Sequence, residues 1–339
     1  MPASRRQRTI AGVPDASLTV KPDAGRLEDH RGELTAYCYR MLGSPFEAED
    51  AVQDTLVRAW RSLDRFEGRA QLRSWLYRIA TNVCFDMLNG RDRRALPMDF
   101  GAAWDPDGPV GSTLPEATWI EPAPDGLVLA AFADPADVAA SRETIRLAFV
   151  AALQHLPPRQ RAVLILCEVL RWKATEVAEL LETSVPSVNS ALQRARGTLE
   201  ASGLSSGDAM PAMDDAQRDL LARYVEAFER YDMDALTALI QEDATQSMPP
   251  YELWLRGREH ILRWWVGPGA RCRGSRVIPA GSANGAPTFG QYRRSESGAG
   301  HDPWALQVLE IAGGRIVGFT FFLNTERLFP LFGLPAHLP

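Results

Sequence analysis

Cysteine is scarce in this chain, and the four present, Cys38, Cys84, Cys167 and Cys272, lie far apart in sequence. No CxxC pair and no histidine at zinc-ligand spacing accompanies them, which excludes a zinc ribbon and argues against a disulfide framework. A reduced, cytoplasmic setting fits, with Cys84 and Cys167 on apolar helical stripes as small buried hydrophobes. No apolar run reaches the ~18 residues that a membrane span needs, so no membrane partner is expected. Residues 1–25 carry arginines without an apolar core behind them, which reads as a disordered arm and not as a secretory signal. Paired carboxylates, metal-ligand spacing and nucleophile motifs are also missing, so no catalytic residue, metal or cofactor is expected.

What is present is an ordinary globular composition, 45% hydrophobic and 24% charged over 339 residues, enough for two or three domains. The net charge of -6 is unevenly spread, because residues 95–140 contain eight acidic residues and no Lys or Arg. That stretch is rich in Pro and Gly and is expected to be a linker that buries little apolar surface. Within it Trp119-Ile120-Glu121-Pro122 forms an apolar island that needs a neighbour to dock on.

Before the linker, apolar positions recur at helical spacing over residues 27–42, Gly43 ends that helix, and Ser44-Pro45-Phe46-Glu47 opens the next one as a capping box over Pro45–Ser62. The polar face of this second helix carries Asp50, Gln53, Asp54 and Arg58. A loop over residues 66–72 leads to a helix with the stripe Leu72, Trp75, Leu76, Ile79, Val83 and Met87. Arg91, Arg93 and Arg94 then form a basic end suited to phosphate.

After the linker, a helix from Ser141 and another over Arg159–Leu170 precede two short amphipathic helices, Thr175–Leu181 and Pro186–Arg196. These are broken at Glu182-Thr183-Ser184, the pattern of a helix-turn-helix. Val177, Leu180, Leu181, Val188, Leu192 and Ala195 hold the pair together and leave Ser187, Asn189, Ser190, Gln193 and Arg194 facing outward. Asn and Gln there suit adenine edges, and Arg194 and Arg196 suit guanine or phosphate.

Beyond a second linker over residues 202–213, tryptophans become frequent. Helices over Ala216–Tyr231 and, capped by Asp232, Met233–Gln241 come first. Strand-like runs follow, with Gly313-Gly314 as a hairpin turn between the last two. Helices followed by an antiparallel sheet indicate a separate α+β domain.

Two stretches, Asp50–Leu88 and Leu156–Arg196, resemble regions 2 and 4 of the bacterial extracytoplasmic-function (ECF) sigma factors, in the family's order and with an acidic linker between them. The resemblance implies a multidomain chain. All-α sigma region 2 (residues 26–94) and region 4 (141–201) flank the linker at 95–140. A cone of the SnoaL-like NTF2 type spans 214–339, the combination found in sigma-G-like members. It implies a transcription-initiation factor that binds the clamp helices and flap of core RNA polymerase and directs it to promoter DNA.

Asp50, Gln53, Asp54 and Arg58 then become the polymerase-docking face. Ser62, Phe66, Arg69, Arg73, Asn82, Arg91, Arg93 and Arg94 become the -10 contacts, with a flipped base received near Phe66. Lys173, Ser187, Asn189, Ser190, Gln193, Arg194 and Arg196 become the -35 contacts. The family's guanine-rich -35 preference does not carry over to Asn189 and Ala191. The acidic linker, by resemblance, threads the polymerase cleft. Tyr251, Trp254, His260, Trp264, Trp265, Tyr292 and Trp304 are the expected lining of the cone's pocket, and Trp119–Pro122 its intramolecular contact. A dedicated anti-sigma partner is left open. The alternatives are a helix-turn-helix regulator that acts without polymerase and a SnoaL-type enzyme with a DNA-binding module.

Overall fold

The computed structural model describes residues 24–66, 71–129, 144–201, 213–296 and 298–339. Residues 1–23 of the arm expected over 1–25, Arg69, and parts of both expected linkers lie outside the described residues, whereas Ala24 and Gly25 begin a helix. The first helix is split into α1 (Ala24–Glu28) and α2 (Arg31–Leu42). Gly43, at φ 74, ends α2 in the left-handed conformation that favours glycine. Ser44 then caps α3 (Pro45–Ser62), its hydroxyl accepting from the Glu47 amide at 3.3 Å. Helix α4 (Leu72–Leu88) packs Leu76, Tyr77, Ala80, Val83 and Cys84 against α2 and α3; its stripe residues Trp75, Ile79 and Met87 are half-buried.

After the short α5 (Asp125–Val128) come α6 (Leu147–Gln154), α7 (Pro158–Leu164) and a π-turn over Ile165–Val169. The helix-turn-helix pair is α8 (Ala174–Leu180) and α9 (Val185–Ala201), reversed at Glu182 with φ 51. Val177, Val188 and Ala195 are buried between them as the apolar spacing requires.

The carboxy-terminal unit starts with α10 (Asp215–Arg230) and α11 (Met233–Leu239). Asp232 caps α11 by accepting from the Ala235 amide at 3.0 Å. Strands β1 (Ile240–Ser247) and β2 (Trp254–Arg256), helix α12 (Arg258–Val266), strands β3 (Arg276–Ala283), β4 (Ala286–Arg294), β5 (His301–Ala312) and β6 (Arg315–Phe322), and helix α13 (Thr325–Leu331) follow.

The sheet order is β2-β1-β6-β5-β4-β3. It is mixed, not purely antiparallel as expected, because β1 pairs with β6 in parallel. Strands β3 to β6 are joined by short connections that force antiparallel pairing, whereas β1 arrives from outside this meander and no hairpin dictates its direction. Gly313-Gly314 makes the expected turn with φ 56 and 72, and Asn284-Gly285 makes a second of the same kind with φ 54 and 77.

The expected linker is the main departure from the sequence reading. Trp119, Ile120, Ala123, Val128 and Leu129 are all buried. One apolar core runs through α2, α3, α4, Ile120–Leu129 and α6 to α9, and reaches Ala283, Tyr292, Leu306 and Phe329 at one end of the sheet. A second core lies between the sheet and α10 to α12 around Tyr224, Phe228, Trp265 and Phe319. The sheet is therefore covered on both sides, once by its own helices and once by the helical units.

Two buried cations sit in the seam between those units. Arg161 of α7 donates to the carbonyls of Met41, Gln154 and Leu156, and Arg40 of α2 donates to the Ala36 carbonyl and the Thr144 hydroxyl, both at 2.9 Å. Burial pulls each guanidinium down to about 10. Neither is ion-paired among the described residues, and each keeps an unpartnered Nε.

Candidate nucleic-acid interface

Helix α9 presents Ser187, Asn189, Ser190, Gln193 and Arg194 on its exposed side. Asn189 and Gln193 lie one turn apart, as do Ser190 and Arg194, so four side chains form two adjacent rows. Ser184 precedes the helix, and its hydroxyl accepts from the Ser187 amide at 3.3 Å. Arg196 is also exposed but ion-paired to Glu168. Lys173 is exposed ahead of α8, with its amide donating to Glu176 at 2.7 Å.

On α3, Asp50 and Gln53 are exposed, while Asp54 is half-buried and pairs with Arg58 at 2.8 Å. Arg58 also reaches Asp86 of α4 at 3.1 Å. The sequence reading passed over the apolar members of the same face. Val57, 44% exposed, follows Gln53 by one turn, and Trp60, 64% exposed, follows it by two. Both break the polar pattern of an exposed helix face, which is the signal that would have found them.

The residues expected at the -10 element divide into accessible and committed sets. Asn82 is exposed, and Phe66 packs against Trp75 with the rings tilted at 41° and their centroids 5.0 Å apart. The Ser62 hydroxyl donates to carbonyls of its own helix. Arg73 pairs with Glu33 at 2.7 Å and lies over the rings of Tyr77 and Trp172 at 5.2 and 5.3 Å. Since Trp172 belongs to the helix-turn-helix unit, that unit covers part of α4 around Arg73. Arg78 reinforces the contact, 3.7 Å from Glu182. Arg93 is exposed beside His155, and Arg91 pairs with Glu47 at 2.6 Å.

Arg94 corrects the expectation of a phosphate contact. It is 7% exposed, pairs with Glu47 at 2.9 Å and donates to the carbonyls of Trp119 and Glu116. Its fork holds the expected linker onto α3. Trp119–Pro122 is buried there: the Glu121 amide donates to the Gly43 carbonyl at 3.0 Å, and Tyr39 donates to the Glu121 carbonyl at 2.8 Å. The bonds to the carboxy-terminal sheet come from the next residues, Ala123 to Asp125.

Ser44 donates to one oxygen of the Glu121 carboxyl, and the other oxygen has no partner. Burial pushes this carboxyl up to about 7 against the opposing pull of Ser44 and of Arg94 at 3.7 Å. A carboxyl raised in the folded state stabilises while protonated. Its contribution is complete below about 4.5 and is lost as pH rises through about 7. Glu121→Gln should remove that loss, so that wild-type stability falls relative to the variant by up to about 3 kcal/mol between pH 5 and 8 in urea titrations. Parallel pH curves for the two proteins would refute it.

A cavity of about 30 Å³ in the carboxy-terminal unit is lined by Phe228, Tyr231, Gln246, Trp264, Trp265, Cys272, Gln291 and Trp304 among others. Trp264, Trp265 and Trp304 of the expected lining border it. Tyr251 and Trp254 instead meet residues 101–114: Tyr251 bridges to Thr113, and Trp254 Nε1 donates to the Gly101 carbonyl at 3.0 Å. His260 is exposed on α12. Tyr292 points to the other core, against Phe329. The polar groups on the cavity wall are amides, a phenol and a thiol, and Trp265 Nε1 donates to Gln246 at 2.6 Å.

A chain with one helical unit whose α3 exposes Val57 and Trp60, a second ending in a helix-turn-helix, and an α+β cone packed on both is built as a sigma-type transcription factor. Residues 27–94 match the model of sigma-70 region 2, residues 146–199 that of sigma-70 region 4, and residues 221–319 that of a SnoaL-like domain. The chain is 47% identical over 315 residues to the ECF RNA polymerase sigma factor SigG of Mycobacterium tuberculosis, covering 92% of this chain and 83% of that one. It is 30% identical over 170 residues to SigW of Bacillus subtilis, across 50% of this chain and 82% of that one. The crystal structure of Mycobacterium tuberculosis SigJ superposes with a TM-score of 0.57 at 20% identity, covering 93% of this chain and all of that one, and shares its fold. The chain belongs to the ECF sigma factors. Among the described residues no helix is long and apolar enough to cross a membrane.

Proposed function

We propose that this sigma factor divides promoter recognition between α9, which reads the -35 element in the major groove, and the α4 side of region 2, which holds the -10 element. Helix α3 docks on core RNA polymerase. The exposed outer face of α9 carries the reading, because its side chains offer paired donors and acceptors that the described residues leave exposed. The phosphate attraction that a chain of net charge -6 lacks is supplied by the polymerase.

The fused SnoaL-like domain acts as a modulator and not as an enzyme. A cavity walled by aromatic rings, amides and a thiol provides neither a carboxylate nor an imidazole for general acid-base chemistry. Changing His260 should therefore leave transcription untouched.

The decisive experiment is transcription in vitro with purified core enzyme and a cognate promoter, where a promoter-dependent transcript is expected and its absence would end the proposal. Within that assay, replacing Asn189 and Gln193 by alanine should each cost about 1–3 kcal/mol of discrimination at one or two -35 base pairs. Mutated -35 promoters would show it as a lost preference. Equal loss on every promoter sequence would mean that these side chains position the helix and do not read bases.

A further inference from the structure

The turn at the tip of the β3–β4 hairpin lies where three other parts of the chain meet. Asn284 has φ 54, a left-handed conformation that asparagine tolerates better than most residues with a side chain, and it is 2% exposed. Its Oδ1 accepts from the Ala123 amide at 2.9 Å. Its Nδ2 donates to the Tyr39 hydroxyl at 2.7 Å and to the Ile145 carbonyl. The Asn284 amide itself donates to the Ala123 carbonyl at 3.1 Å. Beside it, Asp125 accepts from the Ser282 hydroxyl and from the Gly285 amide, each at 2.8 Å. One carboxamide thus ties α2 of region 2, the segment that leaves region 2, and the residue that leads into region 4 to the SnoaL-like sheet.

This bears on promoter reading through distance. By their positions the -10 and -35 elements are about 25 base pairs apart, roughly 85 Å of duplex at 3.4 Å per base pair. Here the two reading units are in side-chain contact, with Arg73 over the Trp172 ring at 5.3 Å and Arg78 at 3.7 Å from Glu182. Units so close cannot occupy both elements, so the contact has to open first. The seam is suited to opening: Arg40 and Arg161 are buried with no ion-pair partner among the described residues, and separation would return water to both.

We propose that Asn284 is the positioning residue that sets the balance between this closed arrangement and an open one. The hairpin tip fixes the segments on either side of the region 2 to region 4 connection, and the two units part when its carboxamide lets go. The inference rests on the assignment of the units to the two promoter elements.

Asn284→Gly tests it in the full-length chain, because glycine keeps the left-handed turn without steric cost while removing every side-chain bond. Fluorophores introduced through unnatural amino acids at the exposed positions 92 and 200 report the separation. The closed-to-open ratio should shift about tenfold towards open, and promoter-dependent transcription at limiting protein should rise several-fold. Tyr39→Phe, which removes one of the three partners together with the bond to the Glu121 carbonyl and leaves the turn intact, should give a smaller shift in the same direction. Unchanged energy transfer in Asn284→Gly, or a transcript no higher than wild type where wild type is active, overturns the inference. If wild type itself gives no promoter-dependent transcript, the initiation reading fails, and the fluorescence result alone still decides the role of Asn284.

Discussion

Replacing Arg94 by alanine is expected to destabilise the folded chain by about 3–5 kcal/mol, the range found when one partner of a buried charge pair is removed. The guanidinium is 7% exposed and serves four acceptors from two segments: the Glu47 carboxylate of α3, and from residues 116–121 the Glu121 carboxyl and the carbonyls of Trp119 and Glu116. Without it both carboxyls stay buried beside two carbonyls that have lost their donor. Glu47 shows the coupling. Burial alone would raise its carboxyl, but the hydrogen bonds from Arg94 and Arg91 hold it below the usual carboxylate range. Losing Arg94 should therefore cost most near neutral pH and less as pH falls and Glu47 takes up its proton. Arg94→Lys keeps the charge but not the planar fork and should recover less than half of the loss. Urea denaturation of the three proteins measures this, and a loss below about 1 kcal/mol for alanine would show that the linker is held by its apolar contacts alone.

The second large effect is expected on binding. Trp60→Ala should weaken association with core RNA polymerase by at least about 2 kcal/mol, roughly thirtyfold, because an exposed tryptophan on a docking helix has the character of an interface hot spot. Stability should stay within about 0.5 kcal/mol of wild type, since a side chain 64% exposed contributes little to the core. Val57→Ala should follow in the same direction with a smaller loss, as its side chain is smaller and 44% exposed. Equilibrium binding to the purified core enzyme distinguishes the outcomes. Unchanged affinity would remove this face of α3 from the polymerase interface, whereas loss of both affinity and stability would make Trp60 a packing residue.

How much could be read from the sequence depended on whether the signal was local. The α3 boundaries, the Gly43 stop, the Asp232 cap and the Gly313-Gly314 turn are written in consecutive residues, and the structure has them. The helix-turn-helix likewise rests on a short apolar period. The parallel β1–β6 pair is non-local, and nothing in either strand's own pattern encodes its direction. The linker misled for a related reason. Its apolar residues are few and irregularly spaced, so they show no helix or strand period, yet Trp119 and Ile120 become fully buried once α2, α3 and the sheet surround them. Arg94 looked like a solvent-facing cation because it ends a run of arginines, and only the folding back of residues 116–121 makes it internal. Residues 101–114 likewise meet Tyr251 and Trp254, which as aromatic residues in a cone domain had looked like pocket lining.

The hydroxyl of Ser44 serves two masters, accepting from the Glu47 amide at the start of α3 and donating to the Glu121 carboxyl. Lifting the segment around Glu121 would leave the hydroxyl free to rotate and the first turn of α3 less well capped. The Glu47 amide should then exchange its proton with solvent whenever the segment detaches, at a rate set by that local event and not by global unfolding. Native-state hydrogen exchange at this single amide would time the release of the linker in an unmodified chain, on the minutes-to-hours scale that the method resolves.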